Sequence, residues 1–324
     1  MKPGGGGTAA PTAWTRQRER TSRWQLRVMR ALATLAGRRA TRLLLHPIVC
    51  AYILDPATRH NSARYLARAL GRPATWGDVY RHLHTFASTV LDRVYLLQER
   101  FDLFRFAASG SETILEPFAQ GHGVLAFGAH LGSFEALRMI GHEKGLRVAM
   151  IMYEDNARLI NETLAVLAPR AELRTIALGR VDAMLSIRRW LDEGGVAGLL
   201  ADRTLPGNSR RSKAIALPFL GAPAFFPDGP FRLAAMLRRR VVFMAGLYRG
   251  GRDYDLRFVE LADLGALPAT GSALAAERDA AIADAMQRYV ATLERLCREA
   301  PYNWFNFYDF WADDDSPTAP NEPS

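Results

Sequence analysis

A histidine and a carboxylate lie five positions apart in segment 128–135, which reads Gly-Ala-His-Leu-Gly-Ser-Phe-Glu. A carboxylate that keeps one imidazole nitrogen protonated leaves the other nitrogen free to remove a proton from a hydroxyl group. The spacing alone is weak evidence, because about 0.7 such pairs are expected by chance for seven histidines and 33 acidic residues. The elements around His130 and Glu135 therefore decide whether this pair can do chemistry.

His130 directly follows the apolar run 124–129, a predicted strand, and Glu135 falls at the start of the next predicted helix. Ligand sites of open α/β sheets collect at the carboxyl ends of strands. Gly132 permits a tight turn, so the Glu135 carboxylate can fold back and orient His130. The alternative is a histidine that only caps the turn, with Glu135 placed at the positive end of the helix.

Two more segments carry candidate substrate-binding residues. Asp202 and Arg203 follow the predicted strand 196–201, and segment 218–230, rich in proline and phenylalanine, leads through Asp228 and Gly229 into a predicted helix. Three basic residues precede that segment: Arg210, Arg211 and Lys213. A helix start beside such cations could bind phosphate or stabilise an oxyanion, whereas the alternative is an ordinary proline-rich loop before a helix.

The elements that must position these residues alternate after Gly110. Short apolar runs predict strands at 124–129, 147–152, 173–178, 196–201 and 241–248, with an edge strand at 254–261. Helical patterns lie between and after them, at 134–140, 157–168, 181–192, 230–239 and 276–299. This order predicts an α/β fold, in which helices flank a mostly parallel central sheet.

Four regions follow from the composition. Residues 1–13 contain four consecutive glycines and are expected to be disordered, and residues 312–324 are expected to form a free acidic tail. Residues 14–110 form a basic region with a helical pattern up to about residue 108, and residues 111–311 form the α/β domain.

The net charge of +9 is concentrated between Trp14 and Arg42, where nine arginines face one acid, Glu19. Aromatic and aliphatic residues alternate with these arginines, a pattern typical of an amphipathic helix on an anionic membrane. A nucleic-acid backbone or a solvated basic face would suit the charge as well. The apolar run 43–54 favours the membrane, although it is shorter than the roughly 20 residues that a spanning helix needs.

Other classes of protein are disfavoured. Cys50 and Cys297 are too few for a disulfide framework or a thiolate metal site, and His82 and His84 diverge on a predicted helix. The sequence therefore predicts no metal and no cofactor. It also lacks the Gly-x-Ser-x-Gly pattern of a serine hydrolase and the signatures of known nucleic-acid-binding modules.

Taken together, these motifs resemble the bacterial late acyltransferases of lipid A assembly, within the lysophospholipid acyltransferase superfamily. The resemblance covers roughly residues 25–311. It is carried by segment 130–135, by Tyr153-Glu154-Asp155-Asn156, by Asp202, by segment 218–229 and by Tyr302-Asn303-Trp304. The family's histidine and its acidic partner correspond to His130 and Glu135.

The resemblance implies an enzyme without a cofactor at the cytoplasmic face of the bacterial inner membrane. His130, oriented by Glu135, would activate a hydroxyl of a lipid or glycolipid acceptor. That hydroxyl would attack an acyl thioester on acyl carrier protein, an acidic partner suited to a basic surface. No nucleic acid is expected as a partner.

Departures from the family pattern leave the acceptor open. The N-terminal stretch is broken by arginines, Phe226 stands where relatives often have threonine, and the ending 301–311 is more similar to the branch found with aryl-polyene pathways. Two other functions stay open at this point. One is a peripheral protein that only binds anionic lipid, and the other is a thioesterase in which water replaces the acceptor.

Overall fold

The computed structural model describes residues 23–153, 174–179, 182–203, 214–266 and 274–311. The predictions for residues 1–22 and 312–324, the helix predicted at 157–168, and the basic residues Arg210, Arg211 and Lys213 lie outside the described residues.

Three helices come first: α1 (Arg23–Ile53), α2 (Pro56–Leu70) and α3 (Trp76–Leu96). Gly37 interrupts α1 with a left-handed backbone, φ 73°, and bends it into two segments. Helix α2 begins because Asp55 accepts a bond from the amide of Thr58. Reciprocal bonds between Thr75 and Asp78 form a capping box at the start of α3.

The rest of the chain alternates strands and helices. In order they are β1 (Arg105–Ser109), α4 (Glu112–Ala119), β2 (Val124–Gly128), α5 (Phe134–Lys144), β3 (Val148–Tyr153), β4 (Arg174–Leu178), α6 (Ala183–Asp192), β5 (Val196–Leu200), β6 (Ala214–Phe219), β7 (Ala222–Pro227), α7 (Gly229–Leu237), β8 (Arg240–Gly250), β9 (Asp253–Asp263) and α8 (Leu274–Glu299). Short 3-10 turns occupy Phe101–Leu103, Leu264–Ala266 and Pro301–Asn303.

Seven strands form the central sheet, in the order β1-β9-β8-β2-β5-β3-β4. Adjacent described strands are parallel except for β8 and β9, which are antiparallel. All five residues of β2 are buried, as expected for a strand covered by helices on both faces. The predicted α/β class with a mostly parallel sheet and an N-terminal helical region is confirmed.

Three local predictions are wrong. Strand β1 lies inside the stretch predicted to be helical, because pairing with β9 stabilises five residues with little apolar pattern of their own. Strand β9, predicted at an edge, lies between β1 and β8. Segment 218–227 is mostly hairpin rather than loop, since β6 and β7 pair in antiparallel register.

Two arginines of α1 bind the α/β region. Arg38 donates to both carboxylate oxygens of Asp92 on α3, at 2.7 and 2.8 Å, and Tyr254 of β9 donates to the same carboxylate. Arg42 donates to the hydroxyl of Tyr248. These two side chains of the basic segment therefore hold α1 against α3 and against Tyr248 of β8.

Helix α1 and the residue that follows it also expose apolar side chains. Leu45 and Val49 are buried, but five large apolar side chains of this helix are exposed, namely Leu35, Leu43, Leu44, Ile48 and Tyr52, as is Leu54 directly after it. Among the described helices, none combines the length and the apolar character needed to cross a membrane.

Candidate active site

The turn between β2 and α5 is built on a close approach to strand β8. Gly132 has φ 72°, and a Cβ atom there would lie 2.0 Å from the carbonyl oxygen of Gly246, so only glycine fits. The amide of Ser133 donates to that same carbonyl at 2.8 Å, and the Ser133 hydroxyl caps α5 by accepting a bond from Ala136. His130 is thereby held at the end of β2.

His130 contacts Asp202, which follows the neighbouring parallel strand β5. Gly128 and Leu200 are paired in the sheet, and each of the two site residues lies two positions beyond its member of that pair. The imidazole Nδ1 is 2.9 Å from Asp202 Oδ1, and the His130 amide donates to Oδ2, also at 2.9 Å. Strand register therefore brings together residues that are 72 positions apart.

The contact fixes which imidazole nitrogen carries the proton. An ionised carboxylate only accepts hydrogen bonds, so Nδ1 donates and Nε2 keeps its lone pair. Burial and the charge of Arg203 lower the pKa of His130, and this outweighs the opposing effect of Asp202. The side chain is still 36% exposed. His130 is therefore a neutral, accessible base at pH 7.

Asp202 is fully buried, and three groups stabilise its charge. His130 contributes its ring and its amide, and the Trp304 indole Nε1 donates to Oδ2 at 3.2 Å. Burial alone would raise the pKa of Asp202, but His130 and Arg203 lower it well below the ordinary value. The carboxylate therefore stays ionised and holds the imidazole orientation.

Glu135 has other partners. As the second residue of α5, it forms an ion pair with Arg93 of α3, with 2.7 Å between Oε1 and Nε, and accepts a bond from the Ser133 hydroxyl at 3.1 Å. The sequence-based expectation that Glu135 orients His130 is thus corrected: Nδ1 of His130 faces Asp202, which the pairing of β2 with β5 places beside it.

The remaining predicted site residues separate into two groups. Arg203 lies beside His130, where its Nη2 donates to the carbonyl of Phe305 and its guanidinium stacks on Tyr308. Asp228, at the start of α7, pairs with Arg232 of the same helix, and Gly229 begins that helix. The predicted binding roles of Asp228 and Gly229 stay predictions.

The segment after α8 contributes contacts that sequence reasoning did not assign to the site. Its residues bind the turn between β2 and α5 through the backbone: the Gly132 amide donates to the carbonyl of Asn303, and the Phe305 amide donates to the carbonyl of His130. The available signal was Tyr302-Asn303-Trp304, one of the motifs that carry the family resemblance, but no site role was assigned to it. Arg93 was also missed, since nothing in the helical pattern of α3 marks it.

His82 has a structural role. Its Nε2 donates to the carbonyl of Trp304 at 2.9 Å, and its Nδ1 accepts from the Ser62 hydroxyl at 2.8 Å, inside the core. Burial lowers the pKa of His82 to about 4. In the described part of the chain, no group of three His, Cys, Asp or Glu side chains is arranged to hold a metal ion.

The site thus lies at the carboxyl edge of the parallel sheet of an α/β protein. Its buried carboxylate fixes the tautomer of an accessible imidazole, an arrangement that suits a general base. Comparison with protein families identifies its kind. The family model described as bacterial lipid A biosynthesis acyltransferase matches residues 92–312, about two thirds of the chain, and the chain belongs to that family. It is therefore an acyltransferase. A search of curated proteins finds no match to it.

Proposed function

We propose that this acyltransferase moves a fatty acyl group from an acyl thioester, carried by acyl carrier protein, to a hydroxyl of a lipid or glycolipid, with His130 as general base. The observation that supports this most directly is the contact between His130 Nδ1 and ionised Asp202, which leaves Nε2 as the accepting atom. The matched family region, residues 92–312, contains both residues.

In the proposed reaction, Nε2 of His130 takes the proton from the acceptor hydroxyl while its oxygen attacks the thioester carbonyl carbon. A carbon–oxygen bond forms and the carbonyl electrons move onto oxygen. When this tetrahedral intermediate collapses, the carbon–sulfur bond breaks. The proton on His130 then passes to the departing sulfur, which leaves as a thiol.

The surroundings of His130 suit this cycle. Asp202 stabilises the imidazolium that forms when His130 holds the proton. Arg203 is a candidate for stabilising the oxyanion, because its Nε is buried and, within the described residues, has no hydrogen-bond partner. The net charge of +9 would speed the encounter with an acidic carrier protein.

The deciding experiment incubates the protein with labelled acyl–acyl carrier protein and a total lipid extract, and identifies the acylated product by mass analysis. We expect one lipid class to gain the acyl group and His130→Ala to abolish the transfer. Free fatty acid released equally without lipid would indicate a thioesterase instead. Retained transfer by a folded His130→Ala variant would contradict the proposed mechanism.

We also propose that the enzyme works at the cytoplasmic face of the inner membrane and binds it through α1 and the residue that follows it. The exposed Leu43 and Leu54, at 68% and 71%, support this, as does the basic N-terminal composition. Leu43→Glu with Leu54→Glu should weaken sedimentation with anionic vesicles. Leu185→Glu, equally exposed on α6, is the matched control. Equal vesicle binding by the wild type, the double variant and the Leu185→Glu control would refute the proposal.

A further inference from the structure

We infer that the indole N–H of Trp304 is a positioning group for the catalytic pair, and that it acts by fixing the rotation of the Asp202 carboxylate. This inference rests on the proposed function, in which Asp202 orients the base His130. It assigns a role to one residue of the segment that follows α8.

The geometry divides the two carboxylate oxygens between different tasks. Oδ2 accepts two bonds, from the Trp304 indole at 3.2 Å and from the His130 amide at 2.9 Å. Oδ1 is left to face the imidazole Nδ1 at 2.9 Å. Two fixed donors on one oxygen hold the carboxylate plane, and so keep Oδ1 directed at the ring.

The same segment also fixes the other member of the pair. The Phe305 amide donates to the His130 carbonyl at 2.8 Å, and the Gly132 amide donates to the Asn303 carbonyl at 2.8 Å. Residues 303–305 therefore bind the backbone of the base and the side chain of its carboxylate partner. Residues 303–305 therefore hold His130 and Asp202 at a fixed distance from each other.

Trp304 is itself immobilised, which a positioning group requires. It is completely buried, and its ring packs edge-to-face against Tyr65 and Phe310, with 4.9 Å between ring centroids in each case. Its carbonyl accepts the bond from His82. Both the ring and the backbone of Trp304 are thus held independently of Asp202.

Trp311 provides a matched control within the same cluster. It is also buried, and its ring packs on Phe219 and Phe310, as the ring of Trp304 does. In the part of the chain that the structure describes, the Trp311 indole Nε1 has no hydrogen-bond partner. A tryptophan-to-phenylalanine change removes the same atoms at both positions but breaks an indole bond to the site only at Trp304.

The test measures kcat and KM of acyl transfer for Trp304→Phe and Trp311→Phe, each alone and combined with Asp202→Asn. We expect Trp304→Phe to lower kcat by about 10- to 100-fold with little change in KM, and Trp311→Phe by less than about threefold. The Asp202→Asn variant already has the wrong imidazole tautomer. In that background, adding Trp304→Phe should lower kcat by less than about a further twofold.

Two outcomes would overturn the inference. One is an equal loss for the two tryptophan variants, and the other is a Trp304→Phe loss that persists unchanged in the Asp202→Asn background. Both would indicate that Trp304 only fills the core. If His130→Ala abolishes transfer and Asp202→Asn lowers kcat strongly, but Trp304→Phe behaves like Trp311→Phe, this inference alone fails. If His130→Ala keeps full activity, the proposed function fails.

A second readout does not need turnover. Nuclear magnetic resonance of nitrogen-labelled histidine reports the Nδ1 proton and the titration of His130 directly. Trp304→Phe should change both signals, and Trp311→Phe should leave them as in the wild type. If Trp304→Phe does not fold, benzothienylalanine at position 304 keeps the ring shape without the N–H. Unchanged signals in the folded variant would contradict the positioning role.

Discussion

Two carboxylates, those of Asp202 and Glu135, are candidates for orienting His130, and their surroundings differ. Asp202 lies 72 positions away in the chain, is fully buried, and binds the His130 ring and amide. Glu135 lies five positions away, has a side chain 14% exposed, and binds Arg93 and Ser133. Glu135, which is near in sequence, makes its contacts at the start of α5. Asp202, which is distant in sequence, contacts His130.

The difference follows from how the two elements approach His130. A turn that ends one strand and begins a helix directs the first helical side chains toward the helix packed beside it, here α3 with Arg93. The ends of two hydrogen-bonded parallel strands lie roughly 5 Å apart, so side chains after them meet directly. Adjacent strand ends are therefore the better source of partners for a base in this fold.

The largest effect is expected at Asp202. Asp202→Asn should lower kcat about 10⁴-fold, because an amide places a donor against Nδ1 and reverses the tautomer. Steady-state acyl transfer measures the loss, and thermal unfolding checks that the variant is folded. A loss below tenfold would show that Asp202 does not orient the base.

A smaller effect is expected at Glu135. Glu135→Gln should lower kcat by about tenfold or less, since its bonds go to Arg93 and Ser133 and the tautomer of His130 is kept. The same assay, run beside Asp202→Asn, gives the comparison. A loss as large as that of Asp202→Asn would reverse the assignment and show that Glu135 reaches His130 during turnover.

The smallest effect is a change in pH dependence. The neutral imidazole is the active form, so activity falls with acid as His130 gains a proton, and its lowered pKa places this fall below pH 6.5. Arg203→Gln removes a charge that lowers the pKa, so the fall should move to higher pH.

For this variant, activity at pH 6 relative to activity at pH 8 should decrease, whatever happens to the plateau rate. A pH–rate profile measures the change. Arg174→Gln, an exposed arginine on β4, is the control and should leave the profile unchanged. An unchanged profile in Arg203→Gln would show that this cation does not act on His130.

Much of the architecture could be predicted because β2, β5 and β8 are apolar runs bounded by turn residues, and such runs alternate with amphipathic helices. Strand β1 could not, since its residues become a strand only by pairing with β9. His130 was found because it follows an apolar strand. Asp202 was flagged for the same reason, but its partner depends on strand order, which local patterns do not contain.

The contribution of Trp304 was out of reach for a related reason. Its neighbours in the chain indicate a core aromatic, and its ring does pack in the core. The hydrogen bond from its indole N–H to Asp202 distinguishes it from Trp311, and the direction of that bond is set by the tertiary arrangement of the segment after α8.

The order in which these parts are synthesised has a consequence for the growing chain. His130 is synthesised first, Asp202 next, and Trp304 about a hundred residues after Asp202. A nascent chain that ends before Trp304 already contains His130 and Asp202. It lacks the indole N–H that positions the Asp202 carboxylate. We expect such an incomplete chain to be inactive in acyl transfer, so that acylation begins only after the segment that contains Trp304 has been synthesised.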